Sequence, residues 1–182
     1  MNSYLFLSLL LFELFFVAGL TIYMIGLLYS SFMGAPFIPT SKKCINEILK
    51  KAHLKKGQVF LELGSGDGRI VREAVKTYGV TGIGVDINML LILMSRFYAK
   101  RQRLLNIKFK RQNVLDADFA NIDVLYLFLM PEIIEKILPR LNKELKPQTL
   151  VISHGFKITG WENKIVDTIR NKPFSTFFYR IS

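Results

Sequence analysis

Residues 59–70 read Val-Phe-Leu-Glu-Leu-Gly-Ser-Gly-Asp-Gly-Arg-Ile: an apolar run holding an acid, a turn with three glycines, and the start of a helical pattern. The apolar run has the composition of a buried β-strand. Glycines at 64, 66 and 68 let the backbone turn tightly and approach a ligand where a Cβ would collide. About twenty residues on, a second apolar strand, Gly82-Ile-Gly-Val-Asp86, also ends in an acid. A carboxylate at that strand tip is placed to take both hydroxyls of a ribose. Strand, glycine turn, helix, strand and acid together make one nucleotide-cofactor half-site.

The rival is a dinucleotide fold, whose fingerprint is Gly-x-Gly-x-x-Gly with the helix N-terminus aimed at a pyrophosphate. From Gly64 the spacing is instead Gly-x-Gly-x-Gly, and Arg69 stands where the third glycine would fall. Glu62, two residues before the first glycine, repels a pyrophosphate and suits a cationic ligand without phosphate. S-adenosylmethionine is such a ligand, with a sulfonium, an ammonium and no phosphate. The Glu62–Gly68 run resembles motif I of the class I methyltransferases, and Asp86 resembles the acid of their motif II. A plain strand–turn–helix of another α/β protein is the alternative, weakened by the second acid falling at the right strand end.

The rest of the chain supports that fold. Thr40 or Ser41 caps an expected helix running to about Ala52. Strands are expected at 58–63, 81–86, 107–111, 123–128 and 149–153, with helices at 69–78, 88–103 and from Pro131 to near Asn142. Extended stretches at 164–169 and 174–181 can close the sheet as an antiparallel hairpin. The expected architecture is α/β: a Rossmann-like, mostly parallel class I methyltransferase sheet, helices on both faces, preceded by one transmembrane helix.

That helix is Tyr4–Tyr29, almost continuously apolar and longer than the ~20 residues a bilayer demands. Glu13 is its one ionisable side chain, placed near an interface, protonated or facing a partner. A cleaved signal peptide would need a positive n-region and a shorter apolar core. The first basic residues, Lys42 and Lys43, lie just past the segment, so the positive-inside rule keeps the following domain cytoplasmic. The expected division is an anchor over 1–32, a connector and pre-domain helix over 33–57, and a catalytic domain over 58–182.

Beyond the anchor the chain holds 25 basic and 13 acidic residues, since Glu13 is the only charged residue before Lys42. Such a surface favours anionic partners, or serves general solubility. Cys44 is the only cysteine and the histidines are His53 and His154, so no cluster has metal-ligand spacing and no metal is expected.

Pro36-Phe-Ile-Pro39, the run Leu63–Val71, Asp123-Val-Leu-Tyr-Leu-Phe-Leu-Met-Pro131, Trp161 and Thr176-Phe-Phe-Tyr179 resemble one family. It is the membrane-anchored lysine methyltransferases of mitochondria, which act on the ATP synthase c subunit and the adenine nucleotide translocase, with their small prokaryotic relatives. The chain departs from that pattern at Glu62, where Asp is common, at Asp86, where Glu is frequent, and at Met89, where Pro is expected.

The resemblance implies a cofactor site. Glu62 orients the methionine ammonium directly or through water. Backbone at Gly64, Ser65 and Gly66 lines the methionine and ribose portions. Asp86 takes the ribose hydroxyls, Ile87 packs on adenine, and Asn113 and Val114 meet the adenine edge, with Asp116 a rival for that role and a loop cap the plainer reading of Asn113. Asp67 can instead brace the turn through backbone amides. Phe128, Met130 and Pro131 are candidates for the acceptor channel, although Phe128 and Met130 also suit the core. His154 follows the fifth strand as either a proton acceptor or a structural residue. The expected function is methylation of a lysine on a membrane-associated protein. The alternatives are a lipid or small-molecule methyltransferase and a non-catalytic S-adenosylmethionine-binding assembly factor. Nucleic acid is disfavoured, and the sequence leaves the oligomeric state open.

Overall fold

The computed structural model describes residues 3–32 and 38–182. Helix α1 (Ser3–Phe32) is followed by α2 (Lys42–Lys51), β1 (Val59–Leu63), α3 (Arg69–Tyr78), β2 (Thr81–Asp86), α4 (Met89–Arg101) and β3 (Ile107–Arg111). Then come β4 (Val124–Leu127), α5 (Pro131–Glu144), β5 (Leu150–His154), β6 (Ile165–Ile169) and β7 (Thr176–Arg180). Of the expected connector and pre-domain helix over 33–57, residues 33–37 lie outside the described residues.

Local chemistry sets the helix starts. Ser41 Oγ accepts the Cys44 amide, capping α2. Asn88 Oδ1 accepts the Leu90 and Leu91 amides, so α4 begins one residue later than expected, with Asn88 as its cap. Pro131 opens α5, its fixed φ fitting a first turn. That helix runs past Asn142 to Glu144, where an Arg140–Glu144 ion pair of 2.7 Å spans one turn.

The seven strands form one sheet in the order β3-β2-β1-β4-β5-β7-β6. β1 to β5 are mutually parallel, and β7 runs antiparallel to both β5 and β6. One face is covered by α2, α3 and α4, through Ile48, Leu49, Val71, Ala74 and Ile92 against Phe60, Tyr126 and Ile152. The other is covered by α5 and the loop before β4, through Ile134, Ile137 and Phe119 against Leu61, Leu125 and Val151. These two cores make the central strands β1, β4 and β5 buried on both sides, as a parallel sheet between two layers requires.

β1 lies between β2 and β4, where the chain's winding direction reverses. Crossovers leave β1 and β4 toward opposite faces, which opens a crevice at the strands' C-terminal ends. Glu62 occupies that end of β1, in register with Gly84 on β2 and Tyr126 on β4. Within α1, Ser3–Gly26 has a mean hydropathy of 2.4 and no buried residues in its most apolar stretch. Twenty-four residues of helix rise about 36 Å, enough for a hydrocarbon core of about 30 Å.

Candidate active site

The glycine turn after β1 is locked onto β2. The amides of Gly64 and Ser65 both donate to the Val85 carbonyl at 2.9 Å, and the Gly66 amide donates to Asp86 Oδ2 at 2.8 Å. Gly68 has φ +73°, and a Cβ there would lie 2.4 Å from the Phe109 ring. Only glycine lets α3 start this close to the sheet.

Asp86 is buried, and its other oxygen accepts the Asn88 amide at 2.8 Å. One carboxylate therefore ties the glycine turn to the start of α4. Burial pushes its acidity toward higher pH, while the amides of Asn88, Gly66 and Ile87 favour the charged form. Each oxygen keeps acceptor capacity beyond the amide it holds, as a pair of ribose hydroxyls needs.

Glu62 is also buried. Its Oε2 accepts the Val71 amide at 3.3 Å. Burial drives its pKa well above the usual carboxylate range; the Val71 amide pulls the other way, and Asp67 and Asp86 raise it further. Arg69 already favours the charged form, and a further cation brought beside Glu62 would offset more of the cost of burial. Ser65 Oγ, on the turn between the two acids, is buried without a hydrogen-bond partner among the described residues. Buried carboxylates with a spare hydroxyl between them have the polarity that a cationic, phosphate-free ligand needs.

Glu62, Gly64, Ser65 and Gly66 line one small cavity of about 40 Å³, closed by Ile38, Thr40, Asp67, Arg69, Ile70 and Phe128. Asp67 braces the turn more strongly than expected. Arg69 donates from Nε to Asp67 Oδ1 at 3.0 Å and from Nη2 to Oδ2 at 2.9 Å, while Nη1 reaches the Thr40 carbonyl. The same arginine that breaks the dinucleotide fingerprint thus fastens the segment before α2 over the turn.

The small cavity shares Ile38, Thr40 and Phe128 with a groove of about 680 Å³. The groove is walled by Cys44 and Glu47 on α2, His154 at the end of β5, and Phe174 in the β6–β7 loop. The rings of Phe128, His154 and Phe174 meet edge to face, at centroid distances of 4.6 Å for Phe128–His154 and 5.1 Å for Phe128–Phe174. His154 Nδ1 lies 2.8 Å from Thr176 Oγ1. Burial lowers its pKa to about 4, so the ring is neutral at physiological pH. Its share of stability is complete above the unfolded value near 6.5 and is lost as pH falls toward 4.

Other candidates stand apart from these cavities. Met130 and Pro131 are half-buried at the start of α5 and line neither one. Ile87 follows Asp86 and is half-buried. Asn113 caps the short 3₁₀ turn Val114–Asp116, its Oδ1 accepting the Leu115 amide at 3.0 Å. Arg140 fixes the next stretch by donating to the carbonyls of Leu115 and Ala117. Sequence reasoning gave no role to Tyr126, which is wholly buried on the strand beside Glu62. It also gave no site role to Ile38, within the Pro36–Pro39 run, or to Phe174, at the start of the expected 174–181 stretch.

The ANTKMT methyltransferase domain matches residues 62–165. A protein-lysine N-methyltransferase of Saccharolobus islandicus is 34% identical over 80% of this chain and 93% of its own length. A human lysine N-methyltransferase of the ATP synthase c subunit is 29% identical over 78% of this chain. The chain spans 63% of that human relative. Among solved structures, an RNA methyltransferase from Salinibacter ruber in complex with S-adenosyl-L-homocysteine is similar at a TM-score of 0.75 and 31% identity. That likeness covers 79% of this chain and 94% of the Salinibacter chain.

Proposed function

The chain belongs to the ANTKMT methyltransferase domain family and is an S-adenosylmethionine-dependent methyltransferase; we propose that its acceptor is a lysine side chain of a membrane-associated protein. In this reading residues 1–32 anchor the chain by a single membrane span, 33–57 connect, and 58–182 form a cytoplasmic catalytic domain. Anchoring raises the effective concentration of acceptors at the same surface.

Glu62 takes the cofactor's ammonium, with backbone at Gly64, Ser65 and Gly66 along its methionine and ribose portions. Asp86 takes the ribose hydroxyls, Ile87 packs on adenine, and Asn113 and Val114 border the adenine edge. When bound, S-adenosylmethionine supplies a methyl group on a positively charged sulfur, a good leaving group. The protein then has to orient, desolvate and admit the acceptor. Phe128 does this where the two cavities meet; Met130 and Pro131, which line neither, only set the start of α5 behind it. Loss of water in the groove beside Phe128, His154 and Phe174 promotes the neutral lysine amine that attack requires. Neutral His154 serves as part of the groove wall rather than as the base.

The observation that carries this reading is the joining of the acid-lined cavity to an aromatic groove at Phe128. A second reading, methylation of RNA, is favoured by the name of the Salinibacter relative and by the net charge of +11. One experiment separates them. Purified full-length protein is incubated with methyl-labelled S-adenosylmethionine and membranes from cells lacking it, and protein, lipid and RNA are separated. Label should enter protein and be recovered as methyl-lysine after acid hydrolysis. Label confined to RNA or to lipid contradicts the lysine acceptor.

A further inference from the structure

Helix α4 carries an apolar stripe that none of the described residues covers. Its buried side, Leu91, Ile92, Ser95 and Ala99, packs on the sheet. On the other side Met89, Leu93 and Phe97 recur every four residues, with Phe97 61% exposed, and Leu105 beyond the helix is 91% exposed. Four-residue spacing puts the first three on one helix face. A soluble surface helix would carry charged side chains there.

The charge around this stripe is one-sided. No Asp or Glu occurs between Asp86 and Asp116, whereas seven Lys or Arg fall between Arg96 and Arg111. Lys100, Arg101 and Arg103 are exposed at the end of α4, and Lys108 and Arg111 are exposed on β3, the edge strand beside it. Arg96 reaches from α4 to the Phe109 carbonyl and Arg111 to the Ile87 carbonyl, so the basic rim is fixed to the same face.

The stripe is also continuous with α1. The Asn88 side-chain amide, at the α4 cap, donates to the Gly26 carbonyl at 2.9 Å. A Cβ on Gly26 would sit 3.4 Å from Asn88 Nδ2 and 3.6 Å from Leu90 Cδ1, so the end of the apolar stretch of α1 touches the start of α4. Where α1 leaves a bilayer, α4 begins at its surface.

We propose that the outer face of α4, with its basic rim on β3, is a membrane-resting surface that takes an anionic lipid bilayer, Met89, Leu93 and Phe97 entering the headgroup boundary. It rests on the reading of α1 as the anchor. Apolar side chains flanked by Lys and Arg are the pattern of interfacial helices, and anionic headgroups attract the basic residues. A span alone gives the domain one attachment to the membrane. A second contact fixes its tilt, and so which way the groove at Phe128 faces.

The test uses the full chain in vesicles of phosphatidylcholine with about 30% phosphatidylglycerol, acyl chains brominated to quench tryptophan at short range. Trp161 is buried and gives the baseline in every variant. Phe97→Trp reports the α4 face, and Val166→Trp reports the opposite sheet edge, where Val166 is 56% exposed on β6. Quenching of the added tryptophan should be about threefold greater in Phe97→Trp than in Val166→Trp, and should fall at least about twofold when Lys100, Arg101 and Arg103 are changed to Glu. Equal quenching with the chain still floating with the vesicles overturns the inference and leaves the anchor intact. Strong Phe97→Trp quenching in a chain that alkaline carbonate strips off supports the α4 face and contradicts the anchor. A chain that never floats overturns both. Binding of labelled single-stranded RNA that is lost in the triple-Glu variant, with Phe97→Trp unquenched, makes the rim an RNA surface and overturns the proposal.

Discussion

Replacing Glu62 with Gln should make the free protein more stable at pH 8 and weaken S-adenosylmethionine binding by roughly 10- to 100-fold, the worth of one charge-assisted contact. Both effects come from one buried carboxyl. Its native pKa lies well above the ordinary value, chiefly because burial penalises the charge, and the unfolded chain restores it to about 4.3. The native state therefore holds the proton more tightly than the unfolded state. Stability from this group is complete below the unfolded pKa and is lost as pH rises through the native one. The Gln variant lacks that loss, so its advantage in melting temperature should grow from pH 5 upward. A bound ammonium reverses the preference, because it favours the carboxylate. Melting curves from pH 5 to 8, with and without ligand, check both halves. A variant less stable than the parent at every pH would contradict the assignment.

Asp86→Ala should cost on the order of 3 kcal/mol in cofactor binding, about 100-fold or more. It removes the proposed acceptor of both ribose hydroxyls, and it orphans two amides that the carboxylate holds at 2.8 Å, from Gly66 and Asn88. Each buried amide left without a partner costs about 1–3 kcal/mol. Lowered stability is therefore expected beside the lost affinity. Asp86→Asn keeps one carbonyl acceptor and separates the two effects: it should recover part of the stability and less of the affinity. Titration calorimetry with S-adenosylhomocysteine, paired with urea denaturation, measures them. Unchanged affinity in both variants would show that the ribose lies elsewhere.

The sheet was legible because its signals are local. Apolar runs of four to six residues, glycines at a fixed spacing and acids at strand ends each sit within one short window, and Asp86 fell at the tip of β2 as expected. Element ends shifted by a residue or two where side chains decide them: Asn88 caps α4 instead of joining it, and the Arg140–Glu144 pair carries α5 past Asn142. The groove was much less legible. Its walls come from Ile38, Phe128, His154 and Phe174, brought together by sheet order and not by any repeat in the sequence. Sheet register likewise set Tyr126 beside Glu62. The hold of Arg69 on both Asp67 and the Thr40 carbonyl also needs coordinates, since Arg69 reads in sequence only as the missing glycine of another motif.

At the centre of the proposed chemistry, a buried acid that holds its proton above the ordinary carboxylate range releases it to solvent when a phosphate-free cation binds beside it. The direct measurement is calorimetric titration of S-adenosylhomocysteine, which keeps the ammonium, into the intact chain near pH 6.5, where α-amino groups of pKa about 7.7–8.0 are already charged. Run in two buffers with different ionisation heats, the parent protein should release protons on binding and Glu62→Gln should release none. Equal heats in both buffers for the parent, or binding as tight and as proton-neutral in the Gln variant, would contradict that exchange.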